Sequence, residues 1–370
     1  MRKNFLWFAV AVMLFTSQYS FSGTVSDVQK TFDQLLQDED TDNDKKITID
    51  DPHIKGTERG DKRFWIESNG KKYEVSGTYY LSNLLQELSL ALESGKSNAE
   101  IPTERIFEPS GDRISRSIRE FYWDGLTRKI DDKGLSKTLG DEKSATVDGL
   151  HHLYVPHSDP QAQKYYSDLA AKSDLKMKVN VLPEKITPEY VRKLDGYHGL
   201  LSLAVVSKNG EPQALPFVVP GGRFNEMYGW DSYFITLGLL LDNRIELAKS
   251  MVDNFVYEIS HYGAILNANR TYYLTRSQPP FLTSMGLAVY ERLPKDGTSK
   301  DWLRTVLQAA IQEYDGVWMN KNRLTKTGLS RYFDSGFGQP PEVEPGHFNV
   351  VYAEYAKKQG MEPKAFEEGY

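Results

Sequence analysis

Cysteine is absent from this chain, which excludes disulfides and thiolate metal sites. Also missing are His-Glu-x-x-His, Gly-x-Ser-x-Gly and a Walker loop, so zinc-dependent proteolysis, nucleophile-elbow hydrolysis and P-loop chemistry have no motif to rest on. No charge dominates: 45 basic residues face 51 acidic ones, with no long basic run, and no nucleic-acid partner is expected. Histidine is scarce, and His151, His152 and His157 are not expected to converge on a metal, because adjacent loop histidines point apart. Long apolar runs are lacking too. The run Phe5–Phe15 falls well short of the roughly 20 residues that cross a bilayer. Arg2 and Lys3 precede it and Ser20-Phe21-Ser22-Gly23 follows it, the pattern of a secretory signal. Residues 1–22 are therefore expected to be a signal peptide cleaved after Ser22, leaving a periplasmic or secreted protein with no stable membrane anchor; an uncleaved tether is the alternative.

What is present is mostly helical patterning. Apolar residues at Val25, Val28, Phe32, Leu35 and Leu36 predict a helix. It runs into Asp40-Thr41-Asp42-Asn43-Asp44-Lys45-Lys46-Ile47-Thr48-Ile49-Asp50-Asp51, with acids at positions 1, 3, 5 and 12 of an EF-hand-like loop. Ca²⁺ takes six to eight oxygens, and such a loop brings alternate side chains to one centre. Lys45 stands where a glycine usually makes the sharp turn, Asp51 is shorter than the usual Glu, and a solvated acidic loop is the other reading. Short β-prone runs around Ser68-Asn69-Gly70 predict a hairpin. Helices are predicted from Gly77 to about Glu93, over 114–123, from Thr187-Pro188-Glu189, along the Ile245 to Ile259 stripe, and over 281–293, 302–318 and 350–359, with another beginning at Pro363. The stretch 159–183 reads as polar and irregular at its ends. This is a mainly α protein with sparse strand.

One stretch organises the rest: Pro220-Gly221-Gly222-Arg223-Phe224-Asn225-Glu226-Met227-Tyr228-Gly229-Trp230-Asp231-Ser232-Tyr233-Phe234. Pro-Gly-Gly breaks the preceding element. Arg donors, carboxylate acceptors and aromatic faces packed so densely suit a polar, flat ligand such as a sugar. The same aromatics could equally pack in a core.

Pro-Gly-Gly-Arg-Phe with Glu226, Tyr228, Trp230 and Asp231 resembles the first signature of the α,α-trehalases, inverting glycoside hydrolases. Asn267-Ala268-Asn269-Arg270-Thr271-Tyr272-Tyr273-Leu274-Thr275-Arg276-Ser277-Gln278-Pro279-Pro280 is similar to a second block of that family. On residue type alone Asn267 reads as a turn residue and Arg276 as a surface ion pair. The resemblance implies instead that Asn267 and Arg276 bind substrate hydroxyls, and carries over Arg223, Trp230 and Asp231 as further substrate-binding residues. A third similar place runs from Ser330-Arg331-Tyr332-Phe333 through Gly338-Gln339-Pro340-Pro341-Glu342; its Gly-x-Pro-Pro-Glu resembles the fungal neutral branch and carries over Glu342 alone, without the Arg found in many bacterial trehalases. Fungal neutral trehalases have a similar acidic loop, so the resemblance implies a calcium module over 23–77. Its ligands would be Asp40, Asp42, Asp44, the Lys46 carbonyl and Asp51. Residues 78–370 would be the N-terminal part of an (α/α)6 toroid, left incomplete.

Inverting hydrolysis needs two carboxyl groups about 6.5–9.5 Å apart, an acid for the glycosidic oxygen and a base for the water. The family's Glu-Ser-Gly-x-Asp stretch, which holds the acid, and its Gln-Trp-Asp-x-Pro signature do not occur here, nor does the stretch that holds the base. The expectation is an N-terminal portion that binds trehalose without hydrolysing it. A non-catalytic calcium- and sugar-binding protein derived from a trehalase is the alternative.

Overall fold

Helix is the main element of the computed structural model, which describes residues 24–25, 27–39, 63–68, 70–95, 101–140, 146–336, 340, 343 and 346–369. Two units divide the chain, Met1–Ile118 and Arg119–Tyr370. Among the described residues no helix is long and apolar enough to cross a membrane.

The first unit holds β1 (Thr24–Val25), α1 (Val28–Glu39), β2 (Arg63–Ser68), β3 (Lys71–Ser76), α2 (Thr78–Glu93), β4 (Ile101–Pro102), α3 (Thr103–Ile106) and α4 (Ser110–Ser117). The expected hairpin forms: β2 and β3 pair antiparallel with Phe64 opposite Val75, and Gly70 takes φ 71° in the turn. Alternation turns Phe64, Ile66 and Val75 inward and leaves Trp65 outside. The inward side chains meet Val28 and Leu35 of α1 and Leu81, Leu84 and Leu88 of α2 in one apolar cluster. Helix α2 thus completes the hairpin's core, and the unit continues past Gly77 to Ile118. Helix α1 starts later than the apolar spacing suggests, because Val25 pairs with Ile101 in a two-stranded β1–β4 ladder. A partner distant in sequence overrides local periodicity there. Glu87 of α2 is buried against Arg113 and Arg116 of α4, at 3.1 and 3.0 Å.

In the second unit come α5 (Trp123–Leu126), β5 (Thr127–Arg128), α6 (Leu135–Leu139), β6 (His151–Val155), α7 (Pro160–Lys172), β7 (Met177–Val181), α8 (Pro188–Arg192), β8 (Gly199–Leu201), β9 (Val205–Lys208), β10 (Glu211–Ala214) and β11 (Phe217–Val218). Five helices follow, α9 (Asp231–Leu241), α10 (Ile245–Tyr262), α11 (Leu282–Arg292), α12 (Gly297–Glu313) and α13 (Asn349–Gln359), then α14 (Pro363–Gly369). The stripe on α10 is buried as its spacing requires, with Ala248, Met251, Val252, Phe255 and Ile259 turned away from solvent against α9, α11 and α12. Gly263 ends α10 in the left-handed conformation, donating its N–H to the Glu258 and Ile259 carbonyls.

Sequence reading missed a parallel sheet in the order β7-β6-β8. The stretch 159–183 that reads as irregular supplies α7 and β7. Asp159 caps α7 by accepting from Ala162 N–H at 3.0 Å, with Pro160 at the first helical position. Strand β6 is buried from His152 to Val155, so it carries no alternation to detect.

Candidate functional site

Three segments of the second unit lie side by side. Gly229 N–H donates to the Asn267 carbonyl at 3.0 Å, and Asn267 N–H donates to the Arg276 carbonyl at 3.0 Å. Antiparallel bridges join Tyr228 to Ala268 and Leu266 to Ser277. Trp230 N–H reaches the Gln278 side-chain carbonyl at 2.6 Å. Glycine is required at 229: a Cβ there would stand 2.5 Å from Gln278 Oε1 and 2.8 Å from the Leu266 carbonyl oxygen. The backbone that carries Trp230 is thereby fastened to the two segments that carry Asn267 and Arg276.

Beneath this layer Arg270 and Glu226 form an ion pair with neither side chain exposed, Nε and Nη2 each 2.7 Å from Oε1. The other carboxylate oxygen accepts Asn225 N–H at 3.0 Å. Next to the pair, Met227 N–H donates to Asn269 Oδ1 at 2.8 Å, and Asn269 Nδ2 donates to the Leu201 carbonyl of β8 at 3.0 Å. Arg128 Nε reaches Asn225 Oδ1 at 2.9 Å.

Asn267 and Arg276 line one cavity of about 630 Å³. Its wall also includes Tyr273, Tyr332 and Asp334, with Tyr352, Tyr355 and Phe366 from α13 and α14. Guanidinium, amide, carboxylate and aromatic faces around one space form a suitable lining for a hydroxyl-rich ring. Asp334 accepts Ser277 N–H at 3.1 Å and pairs with Arg323 at 3.0 Å. Burial, with Asp334 nearby, pushes the Tyr332 phenol up to about 12. Both stand in the Ser330–Glu342 stretch that carries the family resemblance, but that resemblance assigns only Glu342 to the site.

The remaining sequence-derived site residues sit elsewhere. Trp230 caps the N-terminus of α9 and is 45% exposed; Asp231 is the first residue of that helix, where its charge suits the helix dipole. Arg223 is exposed, its guanidinium 4.7 Å from the Phe224 ring centre. None of the three lines the cavity around Asn267 and Arg276. Glu342, the calcium set Asp40, Asp42, Asp44, Lys46 and Asp51, and the expected signal peptide lie outside the described residues. Among the described residues no cluster of three or more His, Asp or Glu could hold a metal ion. His152 has structural partners, its Nε2 3.1 Å from Asp148 and its Nδ1 3.1 Å from Asn180 Nδ2.

Two carboxyls stand behind the Asn267 segment. Glu258 Oε2 accepts Leu266 N–H at 3.0 Å, and Glu313 Oε1 accepts Ile265 N–H at 3.4 Å. Burial, aided by the neighbouring Glu313, raises Glu258 to about 8 against the pull of the Leu266 bond. Burial also raises Glu313, to about 7.

Comparison with known proteins adds to this geometry. The family profile described as Trehalase matches residues 100–369. The cytosolic neutral trehalase of Emericella nidulans is 47% identical over 353 residues, covering 93% of this chain and 46% of that protein. The cytosolic neutral trehalase of Saccharomyces cerevisiae is 42% identical over 358 residues, covering 94% and 47%. Among solved structures, neutral trehalase Nth1 from Saccharomyces cerevisiae aligns with a TM-score of 0.64 at 43% identity, over 70% of this chain and 49% of that one. The chain spans about half the length of the curated relatives it matches. These relatives are cytosolic by name, and they overturn the periplasmic or secreted location expected from residues 1–22. That expectation rested on a basic pair and a short apolar run, a composition that arises without export.

Proposed function

The chain belongs to the trehalase family, and from that membership we propose that it supplies the sugar-gripping part of a glycoside hydrolase that converts α,α-trehalose into two glucose molecules by inversion. The observation that carries the reading is the shared cavity of Asn267 and Arg276, stitched by backbone hydrogen bonds to the Pro220–Asp231 signature. Arg276 and Asn267 would bond hydroxyls of one glucose unit in that cavity, while Arg223, Trp230 and Asp231, which stand outside it, and Glu342 are assigned to substrate by family resemblance alone. The helices from 78 onward belong to an (α/α)6 toroid in this reading. The acid and base of inversion are not among the residues of this chain, and the chain alone is expected to release no glucose from trehalose in a coupled glucose-oxidase assay.

Binding is the direct test. Trehalose titrated against the purified chain, followed by saturation-transfer NMR, is expected to show binding that Arg276→Ala weakens. Hydrogen bonds from a charged group contribute about 1.5–3 kcal/mol, so the loss should be roughly ten- to hundredfold. Equal binding by wild type and Arg276→Ala would remove the cavity from the site.

Calcium is the proposed cofactor of the N-terminal module. The donors are all oxygens, three carboxylates at alternate positions, the Lys46 carbonyl and Asp51, as a hard cation prefers. When bound, the ion neutralises the acidic loop and gathers it around one centre. Calorimetric titration is expected to show one Ca²⁺ site that Asp42→Ala abolishes; a flat titration of the wild-type chain would refute it.

A further inference from the structure

We propose that Glu226 and Arg270 are positioning residues of the sugar site, holding the segment that carries Arg223, Trp230 and Asp231 in register with the segment that carries Asn267 and Arg276. The inference rests on the reading of the Asn267–Arg276 cavity as a trehalose site.

Neither partner lines that cavity. Glu226 lies three residues after Arg223 and four before Trp230, and Arg270 lies three after Asn267 and six before Arg276. Each partner therefore sits within the stretch bounded by the substrate residues of its own segment. Both side chains are wholly buried, and two guanidinium nitrogens close on one carboxylate oxygen at 2.7 Å. A buried ion pair is a poor means of stabilising a fold, since well-packed apolar residues of similar volume do as well or better. What it offers is direction, because a charged fork meets a carboxylate in few geometries. The residue after Glu226 and the residue before Arg270 repeat the lock, Met227 N–H against Asn269 Oδ1 at 2.8 Å. Asn269 in turn is bonded to Leu201 in both directions, at 3.0 and 2.8 Å, so the register is referred to strand β8. A slip of one residue would break both bonds and carry Asn267 away from the Gly229 N–H that holds its carbonyl.

The test compares trehalose affinity with thermal stability in the intact chain. Glu226→Gln strands the Arg270 charge and is expected to lower both. Glu226→Leu with Arg270→Met removes the charges together and is expected to restore the melting temperature to near wild type while trehalose binding stays at least tenfold weaker. Leu169→Ala on α7, matched to Glu226→Gln in melting temperature, should keep wild-type affinity. If the double variant does not fold, Glu226→Asp serves instead: it keeps the charge, withdraws the carboxylate by one methylene, and should lose affinity beyond its loss of stability. Affinity that follows melting temperature across all variants, or a folded double variant that binds like wild type, overturns the positioning role and leaves the cavity assignment standing. A wild-type chain that binds no trehalose overturns the cavity assignment first, and this inference with it.

Discussion

Gly229→Ala is expected to cost about 2–6 kcal/mol and to abolish measurable trehalose binding. The added Cβ would fall 2.5 Å from Gln278 Oε1 and 2.8 Å from the Leu266 carbonyl oxygen. The Leu266 oxygen is backbone, in a segment bridged to Ser277, and cannot rotate away as a side chain could. Gln278 could swing aside, but its carbonyl would then release Trp230 N–H, now bonded at 2.6 Å. Overpacking costs about 1–3 kcal/mol, and a stranded polar group about 1–3 more. In a unit of this size each kcal/mol lowers the melting temperature by about 2–4 °C. Because the clash lies between the signature and the Asn267 block, the segments must part where they would grip a sugar. Calorimetric melting together with ligand-detected NMR reads both effects, and an unchanged melting temperature with intact binding would contradict the close approach.

The second large effect is a pH-dependent stabilisation by Glu258→Gln. Glu258 sits near 8 in the folded chain and near its ordinary 4.5 when unfolded, so the folded state holds the proton more tightly. Stability therefore falls as pH rises from about 4.5 and levels off above about 8, where both states are ionised. Glu313, raised to about 7 and close enough to repel Glu258, adds to the same slope. Glutamine keeps an acceptor for Leu266 N–H and never ionises. The variant should match wild type near pH 5 and exceed it near pH 8 by on the order of 2–4 kcal/mol, because raising a carboxyl's pKa tenfold in proton affinity is worth about 1.4 kcal/mol. Denaturant melts at the two pH values measure this; an equal difference at both would place the Glu258 charge in contact with solvent.

Much of the helical unit is legible because its signals are local. The stripe on α10 repeats over about four turns, Thr187-Pro188 starts α8 with Thr187 accepting Tyr190 N–H, and Gly360 stops α13 in the left-handed conformation. Asn-Gly likewise announces the β2–β3 turn. What escapes is non-local. Strand β6 is recognisable only by its neighbours β7 and β8, since a strand buried on both faces has no polar beat. Val25 looks helical until Ile101 is brought beside it. In the site, motif resemblance singles out Asn267 and Arg276, which share a cavity, and Trp230 and Arg223, which stand in solvent. Sequence assigns no role to Asp334 or to the two carboxyls behind Ile265–Leu266, because each matters through contacts made by folding. Glu226 and Arg270 are in view as letters of two motifs. Only their meeting across 44 residues gives them a task.

The sharing of one apolar interior by α2 and the hairpin has a practical consequence for dissecting the chain. Scission at Gly77 would strip Leu81, Leu84 and Leu88 of their cover on one fragment and leave Phe64, Ile66 and Val75 bare on the other, so both halves should aggregate. Expression of the amino-terminal piece as an independent body calls for a terminus beyond Ser117, where α4 has already brought Arg113 and Arg116 to Glu87.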